Sequence, residues 1–193
     1  MQALKLGFTS VSLDRTDKPL EQNIKETVEI VEVAHALNAS VEGQLGRVVS
    51  ARIFDKNNIN MLTDPSMVKE YIEKTKIDAL AIAVGNARGK YKSDVEIDFD
   101  RLEKISNEAT VPLCIHGGSY TGVENLKKMI EYGVAKINLS SELYFSGNAA
   151  VENKYNNFEK PYHIFDVYSN GYKEKLVQYM TIFGQIGKAK DSL

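Results

Sequence analysis

Apolar residues are distributed along the chain in two alternating patterns. Short continuous apolar runs are typical of buried parallel strands, whereas apolar residues three or four positions apart are typical of helices that pack one face against a sheet. The runs predict five strands, over residues 7–14, 40–45, 79–84, 111–115 and 135–139. Helices are predicted from Pro19, Asp64 and Asp100, over 123–132 and 141–153, and over 168–183. This alternation predicts one α/β domain with about five parallel strands.

Residues that start and stop helices support these assignments. Pro19 is expected near the first helical position, and Asp64, which precedes a proline, is expected to cap the next helix. Ser141 is predicted to cap the helix that follows the fifth strand. The segment 46–62 is polar, irregular and long for a loop in a compact domain, so it is either a functional flap or disordered.

Composition and charge narrow the class of protein. With 193 residues, 43% of them hydrophobic and 26% charged, the chain has the size and make-up of one soluble globular domain. No apolar run approaches the roughly 20 residues that cross a membrane. The net charge of −2 argues against a general nucleic-acid binder. Cys114 is the single cysteine, so no internal disulfide can form, and a cytoplasmic location is expected.

The strongest candidate for chemistry follows the fourth strand, in the sequence His116-Gly117-Gly118-Ser119. Catalytic and phosphate-binding groups collect at the carboxyl ends of parallel strands, where the connecting loops converge. Glycines allow backbone N–H groups to approach an anion closely. Two interpretations remain open at this point: a phosphate-binding loop, or a tight turn whose histidine is only bonded within the loop.

Several further stretches, read together with this one, resemble the class II, zinc-dependent ketose-bisphosphate aldolases, which cleave fructose- or tagatose-bisphosphate. The matching stretches occur in the family's order across nearly the whole chain. They are 7–14 (GFTSVSLD), 19–23 (PLEQN), 34–35 (AH), 41–46 (VEGQLG), 63–65 (TDP), 85–92 (GNARGKYK), 116–119 (HGGS), 136–141 (KINLSS) and 183–189 (FGQIGKA).

This resemblance implies a (β/α)8 barrel, of which residues 1–193 would form the C-terminal five β/α units as a single domain. It implies reversible aldol cleavage of a ketose bisphosphate to dihydroxyacetone phosphate and glyceraldehyde 3-phosphate, in cytoplasmic carbohydrate metabolism such as glycolysis. Zinc, held by three histidines, would stabilise the enediolate as a Lewis acid. The phosphate group would be bound by loop residues that the resemblance places at Gly89, Lys92, Gly117, Gly118, Ser119, Asn138, Leu139, Ser140 and Ser141.

The chain departs from the family pattern at the metal site. His116 falls on a zinc-ligand position, but Arg88 occupies another, and a guanidinium stays protonated and repels a divalent cation. The family's general-acid aspartate and its remaining zinc histidine would lie before residue 7, so no catalytic residue is assigned to this chain. Zinc is therefore expected from the family and doubtful here.

Two further departures concern proton transfer. The family's pair of glutamates is reduced to Glu42 followed by Gln44, and the segment after Gly46 has no acidic residue before Asp55. Together these changes predict an aldolase-like protein with impaired activity. The alternatives are a zinc-free paralogue that binds a sugar phosphate and a remnant without function. A homo-oligomer or a complementing chain could complete the barrel, and neither nucleic acid nor membrane is an expected partner.

Overall fold

The computed structural model describes residues 2–53, 61–91, 95–154 and 159–188. Within them, five strands alternate with helices and form one sheet of order β1-β2-β3-β4-β5, in which every neighbouring pair is parallel. This arrangement confirms the predicted α/β fold with five parallel strands. The elements are α1 Gln2–Lys5, β1 Ser10–Leu13, α2 Leu20–Ala36, β2 Ser40–Leu45, α3 Pro65–Thr75, β3 Ala79–Ile82, α4 Phe99–Glu108, β4 Leu113–Ile115, α5 Val123–Glu131, β5 Val134–Ile137, α6 Ser141–Glu152 and α7 His163–Ile182.

The two faces of the sheet differ in chemistry because side chains alternate along each strand. Large aliphatic residues occupy the face that packs against the helices, as Leu80 and Ile82 of β3 do beside Leu113 and Ile115 of β4. These residues join buried side chains of the helices, among them Val68, Tyr71, Leu102, Ile105, Leu126 and Met129. The opposite face carries small and polar residues. The hydrophobic core therefore lies between the sheet and its helices.

A β-bulge in the last strand pair controls which side chains reach this polar face. Leu113 pairs with Val134, but the next residue, Cys114, pairs with Lys136, so Ala135 is an extra residue in β5. A bulge re-aims the side chains that follow it. Here it brings Lys136 beside Cys114 on the polar face, while Val134 remains in the core.

The predicted helix caps agree with the structure at two of three positions. Pro19 directly precedes α2, and the Asp64 side chain accepts a hydrogen bond of 2.9 Å from the amide of Ser66 at the start of α3. The prediction for Ser141 is wrong. Ser141 is the first residue of α6, and Ser140, at the capping position, makes no side-chain cap. The hydroxyl of Ser119, from the loop after β4, caps the start of α6 instead.

The structure leaves two strand edges open within the described residues. β1 and β5 each pair with one neighbour, on one side only. Among the helices of this described part, none combines the length and the apolar character that crossing a membrane requires.

Candidate functional site

The loops after β3, β4 and β5 meet at the carboxyl edge of the sheet and enclose a cavity of about 230 Å³, called here the loop cavity. It contains seven of the nine residues predicted to bind phosphate, together with Arg88 and His116. Gly118 is not among the residues that line it, and Lys92 lies outside the described residues. The lining residues are Arg88, Gly89, His116, Gly117, Ser119, Asn138, Leu139, Ser140 and Ser141.

Two glycines allow these loops to approach each other closely. Gly117 has φ +73°, and a Cβ there would lie 2.1 Å from the carbonyl oxygen of Ala87, so only glycine fits. The amide of Gly118 donates a 3.0 Å hydrogen bond to the carbonyl oxygen of Asn138, which joins the loop after β4 to the loop after β5. The Gly-Gly pair therefore shapes the cavity through its backbone.

Ser119 connects the cavity to the start of α6. Its hydroxyl oxygen accepts hydrogen bonds from the amides of Ser140 (3.1 Å) and Glu142 (3.4 Å), and the residue is buried. Across the described ranges, the amides of Leu139 and Ser141 donate to no protein acceptor. These two amides, close to the positive end of the α6 dipole, are available to an anion.

Glu42 is the centre of a polar network beside the loop cavity. Its Oε1 accepts hydrogen bonds from the Nε2 of His116 at 2.9 Å and the hydroxyl of Ser12 at 3.3 Å, and its Oε2 lies 2.7 Å from the Nζ of Lys136. Only 4% of Glu42 is exposed. Burial raises the pKa of Glu42, but the hydrogen bonds from His116 and Lys136 outweigh it and lower the pKa to about 2. The carboxylate is therefore charged at neutral pH, and Lys136 pairs with it.

Both ring nitrogens of His116 are engaged. The amide nitrogen of Asn138 lies 3.1 Å from Nδ1, and because an amide nitrogen can only donate, Nδ1 is the acceptor. The carboxylate of Glu42 can only accept, so Nε2 carries the hydrogen. Asn86 fixes the loop as well, since its side-chain amide donates a 2.8 Å hydrogen bond to the carbonyl oxygen of His116.

The donor set of this site does not fit a zinc ion. The described part of the chain contains no group of three or more His, Cys, Asp or Glu side chains placed to hold a metal. The lone pair of His116 already accepts from Asn138, and the neighbouring Arg88 is a cation. Burial, and then the Glu42 carboxylate, raise the pKa of the Cys114 thiol to about 12, so the thiol keeps its proton at neutral pH.

Arg88 is held at the rim of the cavity by backbone pairing with the segment 46–53. Its amide donates to the carbonyl oxygen of Val49, and its carbonyl oxygen accepts from the amide of Ala51, both at 2.8 Å. Tyr91 fixes the same loop, because the backbone amide of Ala87 donates a 2.6 Å hydrogen bond to its hydroxyl. Part of the long segment 46–62 thus pairs with this loop, whereas Asp55 lies outside the described residues.

Sequence reasoning missed Lys136, Asn86 and Tyr91 as parts of this site. Lys136 left two signals, since it begins the recognised stretch 136–141 and is the charged residue of the predicted strand 135–139. Asn86 and Tyr91 lay within the recognised stretch 85–92, but nothing in the sequence indicated that they bond to the loop backbone.

Comparison of the sequence with known proteins finds similarity to fructose-bisphosphate aldolases. The sequence profile described as "Fructose-bisphosphate aldolase class-II" matches residues 1–188. The fructose-bisphosphate aldolase of Staphylococcus aureus is 36% identical over 161 residues, which are 83% of this chain and 56% of that protein. The fructose-bisphosphate aldolase of Geobacillus stearothermophilus is 34% identical over 97% of this chain and 66% of its own length. The chain therefore spans between about half and two thirds of these relatives.

Solved structures agree with the fold. The YdjI aldolase from Escherichia coli K12 superposes with a TM-score of 0.85 at 30% identity, over 97% of this chain and 66% of that one. The fructose-bisphosphate aldolase of Campylobacter jejuni superposes with a TM-score of 0.75 over 92% of this chain and 61% of its own, and at 18% identity it shows the fold alone. These likenesses confirm that the five parallel strands belong to a TIM-barrel-type fold.

Proposed function

The chain belongs to the class-II fructose-bisphosphate aldolase family, and we propose that it binds the phosphate group of a sugar phosphate in the loop cavity. The ligand class is dihydroxyacetone phosphate or a ketose bisphosphate. One observation carries this proposal: seven residues that the family resemblance assigns to phosphate binding, drawn from three separate loops, line one small cavity.

The chemistry of the cavity suits a phosphate oxygen. The amides of Leu139 and Ser141 point to no protein acceptor in the described structure, and α6 adds its partial positive charge. The hydroxyl of Ser119 already accepts from the amides of Ser140 and Glu142, so its hydrogen is the part left for the ligand. Gly89 and Gly117 keep the opposite wall free of side chains. The site thus holds the ligand mainly through backbone donors.

We do not assign carbon–carbon cleavage to the described residues. In the class II reaction that the resemblance implies, zinc stabilises the enediolate, and the donors beside this cavity do not fit that ion. What these residues do is bind and orient: Glu42 and Asn138 hold the His116 ring, and the loop amides hold the phosphate. As for Cys114, a buried single thiol is consistent with the proposed cytoplasmic location.

Aldol cleavage by an assembly is the second candidate function. The chain spans 56% and 66% of two curated aldolases, and the described sheet has two open edges. A homo-oligomer, or a complementing chain with further β/α units, could pair with these edges. Residues 1–193 would then act as one domain, equivalent to the C-terminal five units of the barrel.

Calorimetric titration with dihydroxyacetone phosphate tests the first function, with unphosphorylated dihydroxyacetone as the matched ligand control. We expect saturable binding of the phosphorylated compound alone. Ser141→Asp places a carboxylate at the cavity and should abolish binding by repulsion, whereas Ser169→Asp, on an exposed part of α7, should not. Absence of binding by the unmodified chain would reject the proposal. Cleavage of fructose 1,6-bisphosphate by the purified chain would establish the second function instead.

A further inference from the structure

Arg88 lies between two concave regions of the surface. It lines the loop cavity, and it also lines a neighbouring groove of about 680 Å³, called here the side groove. The side groove is bordered by Asp14, Asp17, Arg47, Ser50, Gly89 and Ser141, among others. The backbone of Arg88 is fixed by the hydrogen bonds to Val49 and Ala51. Its side chain therefore starts from a fixed point at the junction of the two regions.

Among the described residues, the guanidinium of Arg88 has one weak partner. Its Nη2 lies 3.7 Å from the Oδ2 of Asp14, which is longer than a hydrogen bond, and the two side chains are 52% and 43% exposed. Ion pairs of this kind contribute little to stability. The Oδ1 of Asp14 is used separately, because it accepts from the amide and hydroxyl of Thr16 at 3.1 and 2.7 Å. With respect to the residues that the structure describes, the N–H groups of Arg88 are thus nearly free to bind a ligand.

Arg88 is also the charged side chain of the cavity. Of the described residues that line it, the others are glycine, serine, asparagine, leucine and His116, whose ring is hydrogen-bonded to Glu42 and Asn138. The ammonium of Lys136, in the strand that leads to this cavity, is paired with Glu42 at 2.7 Å. Among the described residues that line the cavity, Arg88 is therefore the side chain suited to compensate the charge of a phosphate, and a guanidinium matches phosphate oxygens with two parallel hydrogen bonds.

We propose that Arg88 is a ligand-binding residue of the loop cavity, whose guanidinium leaves Asp14 to bind the phosphate of the sugar phosphate, so that binding needs no divalent cation. This inference rests on the proposed function and adds a residue and a mechanism to it. Asp14 acts as an internal competitor, since its carboxylate and the phosphate attract the same guanidinium. The affinity for ligand therefore reflects an exchange between two anionic partners.

Two substitutions change this exchange in opposite directions. Arg88→Gln removes the cation and should weaken dihydroxyacetone phosphate binding by about tenfold or more, because the charge-assisted hydrogen bonds to the phosphate are lost. Asp14→Asn removes the competitor yet keeps an Oδ1 acceptor for Thr16, and should tighten binding severalfold. Arg88→Lys keeps the charge without the bidentate geometry, so its affinity for dihydroxyacetone phosphate should lie between those of Arg88→Gln and the unmodified chain.

The test is calorimetric titration of the unmodified chain, these three variants and Ser141→Asp with dihydroxyacetone phosphate and with inorganic phosphate, in the presence of EDTA and again with added zinc. Arg47→Gln is the matched control, since Arg47 borders the side groove but not the loop cavity, and its affinity should stay near that of the unmodified chain. EDTA should leave the affinities unchanged. Thermal melting checks that each variant is folded.

The outcomes separate this inference from the function on which it rests. If the unmodified chain and Arg88→Gln bind equally well while Ser141→Asp does not bind, the role of Arg88 is wrong and phosphate binding by the cavity stands. A requirement for zinc, or weaker binding by Asp14→Asn, would also overturn the role of Arg88. If the unmodified chain binds neither phosphate compound, the proposed function itself fails.

Discussion

Glu42 is a buried carboxylate that stays charged because three strands supply its partners. Ser12 of β1 and Lys136 of β5 bond to it, and His116 does so from the end of β4. The two β3 residues on this face, Ala79 beside Glu42 and Ala81 beside Cys114 in the register, are both small. A buried charge is tolerated only when it is paired and hydrogen-bonded. Single residues on distant strands thus determine the orientation of His116 in the site.

Replacing Glu42 by glutamine should alter stability in a pH-dependent way. The pKa of Glu42 is lowered from its ordinary value of 4.5 to about 2. A carboxyl group whose pKa is lower in the folded chain stabilises the fold above pH 4.5, and this contribution is lost as the pH falls from 4.5 towards 2. The shift corresponds to about 3 kcal/mol at neutral pH as an upper value. We expect Glu42→Gln to lower the free energy of unfolding by up to this amount at pH 7.

Urea denaturation between pH 7 and pH 2 measures this effect. The difference between the unmodified chain and Glu42→Gln should shrink as the pH falls below 4.5. Glu124→Gln is the control, because Glu124 is exposed and forms only a surface pair with Lys127. A constant difference between the curves at every pH would mean that the Glu42 charge does not stabilise the fold.

At the scale of helices and strands, local signals predicted most of the architecture. The β2 strand has the predicted bounds 40–45, Asp64 caps α3 as expected, and Leu102 and Ile105 of α4 face the core. Each of these features depends on a few neighbouring residues. The Ser119 hydroxyl accepts a hydrogen bond from the backbone amide of Ser140 at the start of α6, and Ala135 forms a bulge in β5. Both features depend on contacts between distant segments. Such contacts leave no periodic pattern, so the sequence could not predict them.

The packing of α6 against α7 depends on two glycines without side chains. A Cβ at Gly171 would lie 2.6 Å from the Cβ of Ala150 and 2.7 Å from the carbonyl oxygen of Ser146, and a Cβ at Gly147 would lie 2.7 Å from the ring of Tyr168. Backbone atoms at Gly171 cannot move aside as a flexible side chain would. The two helices therefore approach each other as closely as their backbones allow.

Gly171→Ala should destabilise the chain although alanine favours helices. In an open helical position this change stabilises by up to about 1 kcal/mol, whereas overpacking costs about 1–3 kcal/mol, so we expect a net loss. The midpoint of urea unfolding measures it. Ser169→Ala, at an exposed position two residues earlier in α7, should leave the midpoint unchanged or slightly raised. A higher urea midpoint for Gly171→Ala would show that α6 and α7 are not in close backbone contact at Gly171.

At the scale of the whole molecule, family resemblance located the cavity better than residue patterns could. The sequence motifs named seven of its nine lining residues as phosphate-binding. They also placed His116 on a zinc-ligand position of the family and identified Arg88 as a departure from the family pattern at another such position. They could not show that His116 is already bonded on both nitrogens, or that Arg88 is paired through its backbone with residues 49 and 51. Those facts arise only when three loops fold together, and they are what separates an anion site from a metal site.

The open edges of the sheet lead to a prediction about association. β1 and β5 each present an unpaired edge within the described residues, and the large side chains of Leu6 and Phe8, which precede β1, are 74% and 61% exposed. Unpaired edges and exposed apolar side chains favour pairing with another chain. We expect the purified 193-residue chain to associate with rising concentration, as measured by sedimentation velocity. Phe8→Lys should weaken this association, whereas Phe165→Lys, on α7 and 73% exposed, should not. A monomer at every concentration, or equal effects of both substitutions, would show that the β1 edge does not mediate contacts between chains.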